Sequence, residues 1–345
     1  MSSLGEVIAT ARRAAGLTQG ALANQVGVSQ AALSRYEKDM RAPEPEILPA
    51  LAKALGVTPR FLTAASAPSA AMAVDAHMRR RATAKPTVWR QLEAQLNMGR
   101  MHADQLREHV SLTASYEVPR FDPFDTTPSE AARLVRMNWR MPSGPVRNLT
   151  RWVEAAGCVI IKADLGTSRV EGLSQWVSDN PVIMVNRAAP PDRQRLTLAH
   201  ELGHLTLHSF DVPPDVEEQA FGFAAEFLMP EVMIKSELRN LTLGKALSLK
   251  AEWGVSMQAL IERAYSLEVL STSKRTSLYK QLSARQWRIR EPGGDEIPEE
   301  HPALMEQVGA HLANQGLSPD EVAQISGYAD ETSNWLIPTR RLRAV

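Results

Sequence analysis

Thr197-Leu198-Ala199-His200-Glu201-Leu202-Gly203-His204-Leu205 is the stretch on which the reading of this chain turns. In a helix, the four-residue step from His200 to His204 stacks both imidazoles on one face, a turn apart. Two imidazoles so placed can share one zinc ion, whose nitrogen ligands sit at about 2.0–2.1 Å. Glu201 then stands beside the ion, where a carboxylate can take a proton from water and pass it to a leaving amine while zinc polarises a carbonyl. Leu198, Leu202 and Leu205 lay an apolar stripe beside the histidines, so the helix is expected to be buried. By residue frequencies the H-E-x-x-H pattern arises by chance in only about one per cent of chains of this length, which leaves a pair of hydrogen-bonded core histidines as the weaker reading.

A catalytic zinc site normally has a third protein ligand and an open position. His208 lies one turn beyond His204, but three successive turns of a straight helix cannot wrap around one ion, so His208 is expected behind the site or in a structural role. A helical pattern from Val216 to Leu228, stopped by Met229-Pro230, brings Glu217, Glu218 and Glu226. Any one of them could complete a two-histidine, one-carboxylate set, and spacing alone leaves all three open.

At the N-terminus, short helices are punctuated by Gly16, Gly27, Pro43 and Gly56. Within them, Leu17-Thr18-Gln19, Leu22-Ala23, Val26-Gly27-Val28-Ser29-Gln30 and Leu33-Ser34-Arg35-Tyr36-Glu37 have helix-turn-helix spacing. Thr18 and Ser29 are placed to cap the two helices, Ala23 is small where they cross, and Gly27 permits a left-handed turn. Leu22, Val28 and Leu33 pack the pair. Gln30, Ala31 and Ser34, near the start of the second helix, are expected at base edges in a major groove, with Arg35 and Lys38 at phosphates and Gln19 bracing the backbone contact.

Between and after these motifs the pattern is mixed. Residues Thr63 to about Ala73, rich in alanine, serine and proline, read as a linker. Trp89, Leu92, Leu96, Leu106 and Val110 recur at helical spacing and predict one long helix over Thr87–Val110, a candidate dimer contact. Helices are predicted from Ser129 and over Val146–Ala156, strands over Cys158–Ile161 and Val182–Val185, and a helix over Asp192–Leu207. Glu299–Tyr328 reads as a separate helical pair whose apolar positions Leu304, Val308 and Leu312 offer a partner-binding or oligomerising face. The chain thus divides into residues 1–65, a helix-turn-helix domain; 66–118, a linker and long helix; 119–290, a mixed domain around His200; and 291–345, a helical tail. The fold class is α+β, mostly helical, with a small sheet in the metal-site domain.

The length of 345 residues exceeds one ordinary core. An apolar fraction of 44% with 23% charged residues is that of a globular protein rather than a disordered one. Lysine plus arginine equals aspartate plus glutamate at 39 each, which excludes a wholly basic nucleic-acid coat but not a small DNA-reading module. The single cysteine, Cys158, sits in an apolar run and reads as a buried thiol. No stretch approaches the ~20 apolar residues of a membrane span, and a cytoplasmic protein without membrane contact is expected.

The N-terminal run resembles the lambda-repressor-like XRE family. The stretch around His200, followed by Glu217-Glu218-Gln219-Ala220 and Phe223-Ala224-Ala225-Glu226-Phe227-Leu228-Met229-Pro230, is similar to ImmA/IrrE metallopeptidases, whose zincin-like domain the resemblance extends over about Ser129 to Arg288. That resemblance implies Glu217 as the third ligand of zinc, with manganese as the alternative ion, beside Glu201 as the catalytic base. Glu218 is expected to face solvent, and Asn186 and Arg193 to serve in caps or ion pairs. It also implies a protease that cuts a protein partner such as a repressor, or its own linker, and so switches transcription, often under stress or in mobile elements; the N-terminal module adds binding of double-stranded DNA, and a homodimer is expected because helix-turn-helix modules commonly pair on two half-sites. A transcription factor or antitoxin-like protein that senses a ligand without cleaving is the alternative.

Overall fold

The computed structural model describes residues 3–64, 86–107, 109–110, 113–167, 170–177, 180–211 and 213–337. Most of the expected linker falls outside them. Five short helices come first: α1 (Leu4–Ala14), α2 (Gln19–Val26), α3 (Gln30–Glu37), α4 (Ile47–Ala54) and α5 (Pro59–Ala64). Thr18 and Ser29 accept hydrogen bonds from the backbone N–H groups of Ala21 and Ala32, so each motif helix starts on its own cap, and Gly27 closes α2 at φ 75°. Leu22, Ala23, Leu33, Tyr36 and Leu51 fill the module's core.

The long helix is α6 (Pro86–Arg107). Its apolar residues are not left for a second copy, as the sequence suggested. Met98 and Met101 enter the core of the helix-turn-helix module, while Trp89, Leu92, Leu96 and Leu106 join a second core beneath the sheet. A 22-residue helix reaches about 33 Å, long enough to serve both bodies.

After α7 (Pro128–Asn138) and α8 (Leu149–Ala155) come β1 (Val159–Ala163), β2 (Gly172–Val177) and β3 (Asn180–Asn186), in the order β1-β3-β2. β1 runs parallel and β2 antiparallel to β3. Ile160, Ile183 and Val185 face the main core, and Val159, Ile161, Val182 and Met184 the α6 side. Both faces are covered, which is why β1 and β3 read as unbroken apolar runs. β2 escaped the sequence reading because Ser174 and Gln175 are buried polar residues that break any apolar pattern.

α9 (Pro191–Leu207) packs against β2 and β3, and α10 (Val216–Leu228) packs along α9 so closely that a Cβ at Gly203 would lie 3.1 Å from the Phe223 side chain. α11 (Glu231–Ile234), α12 (Leu243–Trp253), α13 (Met257–Ser266) and α14 (Thr272–Ala284) complete the main core. No helix among the described residues is long and apolar enough to cross a membrane.

The tail is not a separate pair. In α15 (Leu304–Asn314) and α16 (Pro319–Ile325), Met305, Val308, Leu312 and Val322 are buried in the core they share with α6 and the sheet. The apolar face expected to bind a partner is covered within the chain itself. Glu154 Oε1 accepts from the N–H groups of Ala303 and Leu304 at 2.8 and 2.7 Å, and Thr58 and Ala329 exchange backbone bonds with Gly327 and Gly56. Phe61 of α5, His102 of α6 and Tyr328 stack with centroids 4.3 and 3.6 Å apart, so helix-turn-helix module, long helix and tail meet at one point.

Burial in that stack pushes the His102 imidazole down to about 3, against the pull of the Ser326 carbonyl oxygen 2.7 Å from Nδ1. Above about pH 6.5 the ring is neutral in both folded and unfolded chains. Below that, the unfolded chain binds a proton that the folded chain refuses, so stability is lost as the pH falls toward 3. The urea midpoint at pH 5 should lie below that at pH 7, and His102→Phe should remove about a tenfold change in folding equilibrium per pH unit from that fall. An unchanged acid slope in the variant would show that His102 protonates freely in the fold.

Candidate metal centre

α9 is buried over nearly its whole length, polar residues included. Asp192 anchors its first turn to Lys250 Nζ at 2.6 Å, and Arg195 is held by the carbonyl oxygens of Val146 and Gly254 at 2.6 and 3.0 Å. The helix therefore presents His200 and His204 at a fixed rotation. Their rings stand at 88° with centroids 4.7 Å apart.

Both Nε2 atoms point to one place. They lie 3.1 Å apart, and the Glu217 carboxylate from the first turn of α10 approaches them at 3.6 Å from His200 and 3.4 Å from His204. Tetrahedral zinc with ligands at about 2.0–2.1 Å spaces its donor atoms by about 3.3 Å, so these separations suit one ion. Among the described residues, this is the group whose metal-binding atoms all fall within 4.8 Å of one another. Burial pushes the His204 imidazole down to about 4, with Glu217 opposing, so its lone pair is available at neutral pH.

The two other carboxylates on α10 go elsewhere. Glu218 is exposed. Glu226 is buried and paired with Arg263, which also donates to the Met229 carbonyl oxygen at 3.1 Å, and Arg133 lies 3.5 Å away.

Glu201 follows His200 on the same helix and turns to β2. Ser174 Oγ donates to its Oε2 at 2.7 Å. A Cβ on Gly172 would lie 2.5 Å from Thr197 Cγ2 and 3.1 Å from Glu201 Oε1, so only glycine lets β2 come this near. Trp176 Nε1 donates to the Leu205 carbonyl oxygen at 2.8 Å and ties the other end of β2 to α9. Beside His200 is a cavity of about 30 Å³ lined also by Trp89, Gly172, Thr197, Glu201 and Phe221, room for roughly a water or two. Glu171, Leu196 and Phe221 border both it and a neighbouring groove of about 1260 Å³. Ser174, Gly172 and Trp89 were not anticipated as site residues, since a buried serine and glycine in an unrecognised strand and one tryptophan in an apolar stripe leave no local signal.

His208 ends α9 and turns behind His204, its Nδ1 2.9 Å from His204 Nδ1 and its Nε2 3.3 Å from Gln219 Oε1. Burial and the neighbouring His204 push its imidazole down to about 4. Asn186 Nδ2 donates to the Thr167 and Val170 carbonyl oxygens, and Arg193 pairs with Glu171, duties that shape the loop in front of the site.

At the N-terminus, Gln30, Ala31 and Arg35 of α3 and Lys38 at its C-cap are exposed, Ser34 half-exposed, and Ser29 exposed as the N-cap. They form one face. Gln19 Nε2 donates to Glu37 Oε2 at 2.9 Å, within a bond set that also holds Arg12, so its amide also braces the module internally. The Cys158 thiol is fully buried, and burial pushes it far up, which rules it out as a nucleophile.

Removing Glu226 would leave Arg263 buried without its partner, so Glu226→Ala should cost about 3–5 kcal/mol of stability in urea unfolding. A loss below about 1 kcal/mol would place the pair in the class of solvent-relaxed surface bridges.

Residues 8–62 match the helix-turn-helix family, and residues 153–265 match the family described as the IrrE N-terminal-like domain. Over 117 residues the chain is 32% identical to the radiation response metalloprotease IrrE of Deinococcus radiodurans, a match covering 30% of this chain and 32% of that relative. The chain thus spans about a third of the length of the curated relative it matches. The chain thus joins an N-terminal segment that matches the helix-turn-helix family to a later segment, residues 153–265, that is similar to the ImmA/IrrE metallopeptidases.

Proposed function

We propose that this regulator binds double-stranded DNA through α3 and hydrolyses a peptide bond in a protein partner, such as a repressor, at His200, His204, Glu217 and Glu201. The observation behind this reading is the convergence of two imidazole Nε2 atoms and one carboxylate at 3.1–3.6 Å, with Glu201 beside them. Zinc, or manganese, held by His200, His204 and Glu217 would supply Lewis-acid polarisation of the scissile carbonyl. Glu201 takes the proton of the attacking water and delivers it to the leaving amine. Ser174 orients that carboxylate by donating to Oε2, and the surrounding apolar residues keep bulk water out.

A second reading, in which the domain senses a ligand without cleaving, draws on the small size, about 30 Å³, of the cavity that Trp89 and Phe221 line beside His200. Glu201→Gln keeps the shape and an acceptor for Ser174, so it should retain metal at one equivalent and bind DNA as the parent does, while partner cleavage falls roughly 10²–10⁴-fold. Cleavage that survives in the variant, followed on gels with purified partner, would end the water-activation mechanism.

At the DNA face, Arg35 is assigned to phosphate. Arg35→Ala should weaken binding to all duplexes alike and lower the salt-dependence slope by about one. A loss confined to a single operator sequence, measured by fluorescence anisotropy over a salt series, would reassign Arg35 to base reading.

A further inference from the structure

His204 presents Nε2 to His200 and Glu217, so its remaining ring nitrogen, Nδ1, faces inward to His208. With the Nε2 lone pair directed at an ion, the proton sits on Nδ1, and the only role left to His208 Nδ1 at 2.9 Å is acceptor. The His208 proton is then on Nε2, 3.3 Å from Gln219 Oε1. Gln219 Nε2 in turn donates to the Asp215 carboxylate at 3.2 and 3.3 Å. Every donor in the series points away from the ion and toward a negative charge.

We propose that His208, Gln219 and Asp215 form a polarised relay that positions His204 and sets its strength as a metal ligand; this rests on the metal-centre reading above. The relay ends in α10 and its N-cap residue, the segment that delivers Glu217. Two ligands on different helices are thereby oriented against each other through one set of hydrogen bonds. His208 is 1% exposed and His204 fully buried, so no bulk water competes for the Nδ1 proton. His208 is a positioning residue here. Its geometry also accounts for its place at the end of α9, where the chain leaves the helix and the ring swings behind His204 instead of toward the ion.

The test is zinc affinity of the full chain by competition with a chromophoric chelator, together with the visible spectrum of the cobalt(II)-loaded protein. His208→Leu removes the acceptor and should weaken zinc about 10–100-fold and shift the cobalt bands. His208→Asn, whose Oδ1 occupies nearly the place of Nδ1, should recover the parent affinity to within about threefold. Equal affinity in parent and His208→Leu, or an asparagine variant as weak as the leucine one, overturns the relay. Should His208→Leu fail to fold by circular dichroism, Gln219→Leu takes its place: it leaves His208 Nε2 without its acceptor, and a loss of about 3–10-fold is expected, with none overturning the proposal. A parent that binds no zinc sinks the metal centre itself, a result separable from a parent that binds and a leucine variant that binds equally.

Discussion

A helix that buries two histidines and a glutamate must give every one of their polar atoms a partner, because an unpaired polar group in an apolar interior costs about 1–3 kcal/mol or more. Much of the architecture around α9 answers that demand. Ser174 of β2 reaches Glu201, Glu217 of α10 reaches both Nε2 atoms, and His208 lies against the back of His204. The same burial that makes these groups costly also keeps His204 neutral, which is the state a metal ligand requires. Folding and readiness for an ion are one constraint here.

The close approach of β2 explains two residues that would otherwise look unremarkable. Gly172 is where a side chain would collide with Thr197 and Glu201, and Trp176 is where the strand is tied to the end of the helix. The strand that touches the site is thus built from residues chosen for proximity and hydrogen bonding, and its apolar pattern is correspondingly faint.

α6 gives the molecule its continuity. One end lines the small cavity through Trp89, its middle enters the helix-turn-helix core through Met98 and Met101, and His102 stacks between that module and the tail. A displacement of the DNA-reading module relative to this helix would disturb packing on both sides, since tightly packed cores accommodate shifts poorly. The tail has a matching role, closing the second core from below and fastening to α8 through Glu154.

Local pattern was enough for the parts whose chemistry is local. The spacing of His200 and His204 placed them on one face, and the caps Thr18 and Ser29 with Gly27 announced the helix-turn-helix, because one helical turn or one left-handed residue has a sequence-level signature. Anything requiring two distant segments to meet stayed open: spacing could not choose among Glu217, Glu218 and Glu226, and only the packing of α10 on α9 turns Glu217 toward the imidazoles while Arg263 claims Glu226. For the same reason, the apolar stripes of α6 and α15 read equally well as surfaces for a second molecule. Amphipathic periodicity says that a face is covered, and tertiary structure alone decides by what: here, by the chain's own sheet.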